Sequence, residues 1–189
     1  MPKSFFFGYG SLVNTKTHLY KRATPACAKG WRREWRWVPG RELAFLTAIP
    51  DSSCEIEGLI AEVPNQDWAA LDEREEFYER LNANDCTDHP VNEPLDIAIY
   101  AIPPASSTIA SDDHPIILSY LDVVLQGYLE VYGVEGGLKF FESTTGWDAP
   151  VINDRAAPLY PRSQKLSAEE TDWVDEQLAS RRIKIINAG

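Results

Sequence analysis

Cysteine is scarce in this chain, and what there is does not pair. The 189 residues hold three, Cys27, Cys54 and Cys86. They are far apart and odd in number, which fits neither a disulfide framework nor a zinc-ligand spacing and implies a reducing compartment. Histidine is equally sparse: His18, His89 and His114 form no ligand spacing, and each is expected at the surface or in a turn. No apolar run is long enough to cross a bilayer. Only three apolar residues stand between Lys3 and Gly8, too few for the hydrophobic region of a secretory leader, so a soluble cytoplasmic protein is expected. Positive charge is also short. With 18 Lys and Arg against 29 Asp and Glu, the formal charge is −11, a field that repels nucleic-acid phosphates and anionic membranes.

Hydrophobic content is ample. At 44% apolar and 11% aromatic residues, six of them Trp, the chain can bury one sizeable core, and a single domain over residues 1–189 is expected. The one basic cluster, Lys29 to Arg36, is interleaved with Trp31 and Trp35 and raises the idea of a base-stacking surface. Alternation accounts for it more simply as a strand, with Trp31, Arg33, Trp35 and Trp37 on one face and Arg32, Glu34 and Arg36 on the other. Acidic charge and scattered aromatics leave no patch that demands a partner, so a monomer or a weak homodimer is expected.

The N-terminal stretch Ser4-Phe5-Phe6-Phe7-Gly8-Tyr9-Gly10-Ser11-Leu12 is the organising element. Three consecutive aromatics predict a strand buried on both faces, and the two glycines after it let a ligand approach the backbone. Gly10, Ser11 and Leu12 would present successive N–H groups, a concave run of donors suited to a carboxylate or a developing oxyanion. The same residues also fit an ordinary glycine-containing turn.

Further along, strands are expected over Ala26 to Val38, Leu43 to Ile49 and Cys54 to Val63, with Pro50-Asp51 separating the last two. Four strands without a long helix between them argue against a doubly wound topology and for an α+β or barrel-like sheet built from near neighbours. Asn65 is placed to cap a helix carrying Trp68, Leu71, Asp72 and Glu75. With Trp68 at zero, helical spacing puts Leu71 at about −60° and Glu75 at about −20°, so Glu75 falls inside the apolar stripe while Glu73 and Glu76 point elsewhere. A carboxylate directed at the core is costly unless paired or protonated, and burial raises its pKa toward the range of a general base. A structural ion pair with Arg74, Arg80 or another arginine is the competing account.

Tyr78 to Cys86 reads as helix or strand, and Leu95 to Ile102 as a strand stopped by Pro103-Pro104. Ala105 to Asp113 reads as a mobile polar loop. Helices are expected from Ile116 to Tyr132, ended by Gly133, and over Val134 to Glu142. Gly146 to Arg162 should wrap the surface as an extended segment, and Ser167 with Glu170 makes a capping box for a last helix through Leu178.

Phe7-Gly8-Tyr9-Gly10-Ser11-Leu12, then Gly30-Trp31-Arg32-Arg33, then Leu71-Asp72-Glu73-Arg74-Glu75 with a Tyr soon after, together resemble the γ-glutamylcyclotransferase superfamily. The Phe-Gly-Tyr-Gly-Ser-Leu spelling and the Arg-Glu pair are closest to its ChaC-type branch. The similarity covers about residues 5–133, and 134–189 is a less clearly matched C-terminal extension.

The resemblance implies an α+β fold with a small mixed β-barrel-like sheet and flanking helices. It implies an enzyme that cyclises a γ-glutamyl group to 5-oxoproline and releases the attached amine or amino acid, with no metal or organic cofactor. Tyr9, Gly10, Ser11 and Leu12 map onto the loop that holds the γ-glutamyl moiety, Glu75 onto the catalytic acid, and Tyr120 onto a tyrosine that lines the site. Glu76-Phe77-Tyr78 stands where the ChaC-type branch has a Gly-Tyr, and Val13-Asn14 replaces an expected Trp. Glutathione, other γ-glutamyl peptides and γ-glutamylamines are all candidate substrates. A non-catalytic binding module of the same fold is the alternative.

Overall fold

The computed structural model describes residues 2–188. Strand β1 (Lys3–Gly8) is flanked on both edges, antiparallel by β3 (Ala44–Glu62) with Phe7 opposite Ile60, and parallel by β6 (Leu95–Ala101) with Phe7 opposite Ile99. Alternation along a strand sends neighbours to opposite faces. Phe6 accordingly enters one core with Trp35, Leu46, Leu121 and Tyr128, while Phe5 and Phe7 enter the other with Ile56, Ile60 and Ile97. A strand with apolar matter on both sides accepts three consecutive phenylalanines, as the sequence predicts.

Strand β2 (Lys21–Trp37) pairs with β3 along nearly its whole length. The register shifts between Lys29 and Trp31, where Gly30 takes φ +77°. That bulge bends the ribbon. Pro50 sits opposite Trp31 beside it, so Pro50-Asp51 does not end a strand, contrary to expectation: the ladder is already irregular there and the missing proline N–H costs little. The two strands expected over 43–63 are therefore one. On the inner face of β2, Arg33 and Trp35 are fully buried, and Glu34 is buried too, bonded by Arg32, Arg36 and Thr145.

After β3 come α1 (Ala69–Arg74), β4 (Glu79–Asn82) and β5 (Thr87–Asp88). Among the alternatives for 78–86, the strand holds. Next is β6, and after it β7 (Thr108–Ile109), which pairs with β2; Arg36 also bonds Ser107, so this part of the expected mobile loop is tied to the sheet. The order β4-β6-β1-β3-β2-β5 makes a curled, half-barrel mixed sheet.

The C-terminal part starts with β8 (Ile116–Ile117) and α2 (Leu118–Glu142), which is interrupted at Gly133 with φ +68° where the sequence predicts a stop. Then follow β9 (Thr144–Thr145), β10 (Val151–Asn153), α3 (Ala168–Ser180) and β11 (Ile185–Asn187). Strands β11, β10 and β8 form a second, parallel sheet. The Ser167–Glu170 capping box is present at α3. The fold is α+β.

Candidate active site

The loop after β1 is held from beneath. Its Tyr9 carbonyl accepts from Arg33 Nε at 3.0 Å and from the Tyr128 hydroxyl at 2.9 Å. The Arg33 guanidinium also donates to the Ser143 hydroxyl and the Glu57 carbonyl, and it lies over the Tyr128 ring. The loop is held from the side as well. Asn14 donates to the Val123 carbonyl and to Gln126 Oε1 on α2, at 2.9 and 3.0 Å. The helix comes close because Gly127 has no Cβ; one placed there would sit 2.7 Å from the Asn14 backbone nitrogen. A short 3₁₀ turn, Ser11–Val13, uses the N–H groups of Val13 and Asn14 on Gly10 and Ser11 carbonyls. The N–H groups ahead of them lie at its open end.

The Arg-Glu pair faces this loop. Asn65 does not cap α1; it takes φ +55°, and the Asp67 carboxylate accepts from the Ala69 N–H instead. Helix α1 ends at Arg74, and Glu75 is its C-cap at φ −105°, ψ 37°. Glu75 thus turns inward as predicted, but through the cap rather than by continued helical spacing. Arg74 Nε lies 3.2 Å from Glu75 Oε1. The other Arg74 nitrogens donate to Ser11 Oγ at 3.1 Å and to the Thr17 carbonyl at 3.1 Å. One guanidinium therefore joins the carboxylate to the loop. Arg80 pairs with Asp72.

All six residues singled out in the sequence line one cavity of about 30 Å³: Tyr9, Gly10, Ser11, Leu12, Glu75 and Tyr120. It adjoins an outer compartment of about 210 Å³, and the two share Ser11, Leu46, Glu75, Tyr78 and Tyr120. Gly10 admits Tyr120, since a Cβ there would lie 2.7 Å from the Tyr120 hydroxyl oxygen.

Burial pushes the Glu75 pKa above the ordinary carboxylate range, against the opposing pull of the Arg74 and Arg162 charges. It also pushes the Tyr78 and Tyr120 hydroxyls well above their ordinary value, so both stay protonated and able to donate. The cavity therefore gathers a carboxylate whose pKa burial raises, two protonated tyrosine hydroxyls and the Gly10–Leu12 loop. Among the described residues no cluster of three or more His, Cys, Asp or Glu could hold a metal ion. His18 is half-buried and bonds the Leu12 carbonyl.

Four lining residues escape sequence reasoning as site members. Arg74 is visible only as half of the Arg-Glu pair. Tyr78, whose hydroxyl donates to the Leu46 carbonyl at 2.8 Å, lines both compartments. Tyr160 and Arg162 come from the segment 146–162, expected merely to wrap the surface. That segment is built in: buried Asp154 accepts from Ser119 N at 2.7 Å and from Leu159 N at 2.8 Å, and Tyr160 N donates to Ser119 Oγ at 3.1 Å. The Tyr160 hydroxyl thereby reaches Ser11 Oγ at 2.9 Å.

A family model described as "Gamma-glutamyl cyclotransferase, AIG2-like" matches residues 6–119. Three solved structures share the fold. One is described as a gamma-glutamyl cyclotransferase, at 16% identity and TM-score 0.60, covering 92% of this chain and 99% of that one. Another is an uncharacterized protein from Homo sapiens, at 16% identity and TM-score 0.57, covering 90% and 97%. The third is YkqA from Bacillus subtilis, at 15% identity and TM-score 0.57, covering 75% of this chain and 54% of that one. No curated protein sequence is matched.

Proposed function

We propose, starting from the fact that the chain belongs to the AIG2-like gamma-glutamyl cyclotransferase family, that it cyclises a γ-glutamyl peptide or amine to 5-oxoproline and releases the free amine or amino acid. The observation that carries this reading is the position of Glu75: a single carboxylate, its pKa raised by burial, at the junction of the two compartments and opposite the Gly10–Leu12 loop.

In this reading the substrate's own α-amine is the nucleophile. It is tethered to the carbonyl it attacks, so the effective molarity is high and little covalent machinery is needed. Glu75 takes a proton from the α-ammonium. The nitrogen then bonds to the γ-carbonyl carbon, and the loop N–H groups receive the developing oxyanion. As the tetrahedral species collapses, Glu75 returns its proton to the leaving nitrogen and the C–N bond to it breaks; the second proton of the ring nitrogen passes by way of Glu75 to the freed amine, leaving a neutral lactam and an ammonium product. Tyr9, Gly10, Ser11, Leu12 and Tyr120 hold the γ-glutamyl group in the inner cavity, and the outer compartment receives the leaving amine. The reaction as written uses no cofactor, and residues 1–189 act as one domain, as a monomer or weak homodimer in the cytoplasm.

The test is 5-oxoproline release from glutathione, γ-glutamyl dipeptides and γ-glutamylamines without added metal. Release from at least one is expected. A panel in which one compound binds and none turns over would instead make the protein a binding module.

A further inference from the structure

The outer compartment is unlike the inner cavity. Leu43, Ala44, Phe45, Phe77 and Ile117 give it an apolar wall, with the Phe45 and Phe77 rings 5.7 Å apart. Arg41 covers the outer side of Phe77, its guanidinium carbon 4.0 Å from the ring centroid. Arg74, Arg162 and Glu76 are the charged residues at its edge besides Glu75. Arg74 is committed to Glu75, Ser11 and Thr17. Arg162 is exposed, and among the described residues its guanidinium has no ion-pair or hydrogen-bond partner. It also borders the neighbouring cleft over Thr17 to Tyr20. Its charge is felt at Glu75, so it stands at the compartment where the leaving group would lie.

We infer that Arg162 is a specificity residue that takes the free carboxylate of a γ-glutamyl dipeptide, while the apolar wall takes the side chain of its second amino acid. The inference rests on the cyclotransferase reading above. An apolar wall with one uncommitted guanidinium at its rim matches an apolar α-amino acid bearing a carboxylate, because a guanidinium fork pairs with a carboxylate in a fixed geometry. A simple γ-glutamylamine offers nothing to that fork, and γ-glutamylglycine offers nothing to the wall.

The experiment compares kcat/KM for γ-glutamyl-leucine, γ-glutamylglycine and γ-glutamyl-3-methylbutylamide, the last being the leucine compound without its carboxylate. The leucine dipeptide is expected to lead the amide by about tenfold through the charged contact, and the glycine dipeptide by about tenfold through the buried side chain. Arg162→Gln should bring leucine dipeptide and amide together while preserving the lead over the glycine dipeptide, and Arg162→Lys should restore part of the first preference. Equal rates for leucine dipeptide and amide in the wild type would overturn the inference and leave the cyclotransferase standing. No 5-oxoproline from any of the three, or from glutathione, would overturn the cyclotransferase reading and the inference with it.

Discussion

Arg74 and Glu75 are chain neighbours whose side chains meet, Nε to Oε1 at 3.2 Å, while the same guanidinium bonds Ser11 and Thr17 in the loop that Glu75 faces. Glu75 is thus ion-paired, as one of the two accounts left open by the sequence has it, and it also lines a cavity. The pair orients the carboxylate, and the positive charge limits how far burial raises its pKa.

Removing that charge should therefore move the pH profile. If Glu75 is the base, kcat/KM falls as pH drops through its pKa. Arg74→Gln lets desolvation act with less opposition, so this acid limb should shift to higher pH. Arg74→Lys keeps the charge but loses the fork to Ser11 and Thr17, so its limb should shift less while kcat/KM still drops. Profiles of both variants on one γ-glutamyl substrate check this, and an unmoved limb in Arg74→Gln would separate the titrating group from Glu75.

Glu75→Gln separates catalysis from stability. Without a proton acceptor, turnover should fall by about 10²–10⁴-fold. A carboxyl whose folded pKa lies above its unfolded value binds more protons in the native state. Its stabilising contribution is present below the unfolded pKa and is lost as pH rises through the folded one. Once ionised, Glu75 is therefore a net cost, and Arg74 keeps its bonds to Ser11 and Thr17 when it is replaced. The Tm of Glu75→Gln at neutral pH should be no lower than that of wild type, and its pH dependence in the acid range flatter. Glu76→Gln, exposed, should keep its rate within a few-fold (~2–3) since surface changes act weakly. A destabilised Glu75→Gln protein with activity in proportion to its folded fraction would remove Glu75 from the mechanism.

The parts of this molecule that were legible are those where local pattern and tertiary demand agree. The triple phenylalanine, Gly133 and the Ser167 capping box each state one local requirement, and the structure meets each, whereas the loop glycines Gly8 and Gly10 make room for Leu12 and Tyr120. The bend at Gly30 and Pro50 was not legible, because a proline reads as a strand end unless the bulge opposite it is known. Asn65 reads as a cap by residue type, yet Asp67 does the work because it lies two residues before Ala69. Tyr160 and Arg162 could not be found from spacing: what brings them to Ser11 is Asp154, a buried acid whose partners lie 35 residues back at Ser119.

Gly10 and Tyr120 should couple. Alanine at Gly10 would place a Cβ 2.7 Å from the Tyr120 hydroxyl oxygen. The ring must move, and misplacement of a lining group by about 1 Å lowers kcat/KM by up to ~10²-fold. Tyr120→Phe removes the atom in the way. Gly10→Ala should therefore be markedly less harmful in a Tyr120→Phe background than in wild type. Steady-state kinetics of the four proteins measure the coupling, and simple additivity would show that Tyr120 does not approach Gly10 in solution.

Asp154 tests whether the late segment is part of the site or only beside it. Its carboxylate accepts from the Ser119 backbone and hydroxyl and from Leu159 N–H, and it is almost wholly buried. Asp154→Ala strands those donors, at a cost of about 2–4 kcal/mol, and Tm should fall by several degrees. The Ser119 hydroxyl that accepts from Tyr160 N–H loses its orienting partner, so Tyr160 and Arg162 are no longer fixed over the outer compartment. Glu75 and the loop keep their bonds from Arg33, Asn14 and Arg74. At a temperature where the variant is folded, kcat should stay within a few-fold (~2–3) and KM for the preferred substrate should rise by about tenfold, since binding energy used equally in ground and transition states is what is lost. Asp154→Asn keeps one acceptor and should fall between the two. If KM stays at the wild-type value in folded Asp154→Ala while only Tm drops, the segment is scaffolding, and substrate is held by the loop and α1 alone.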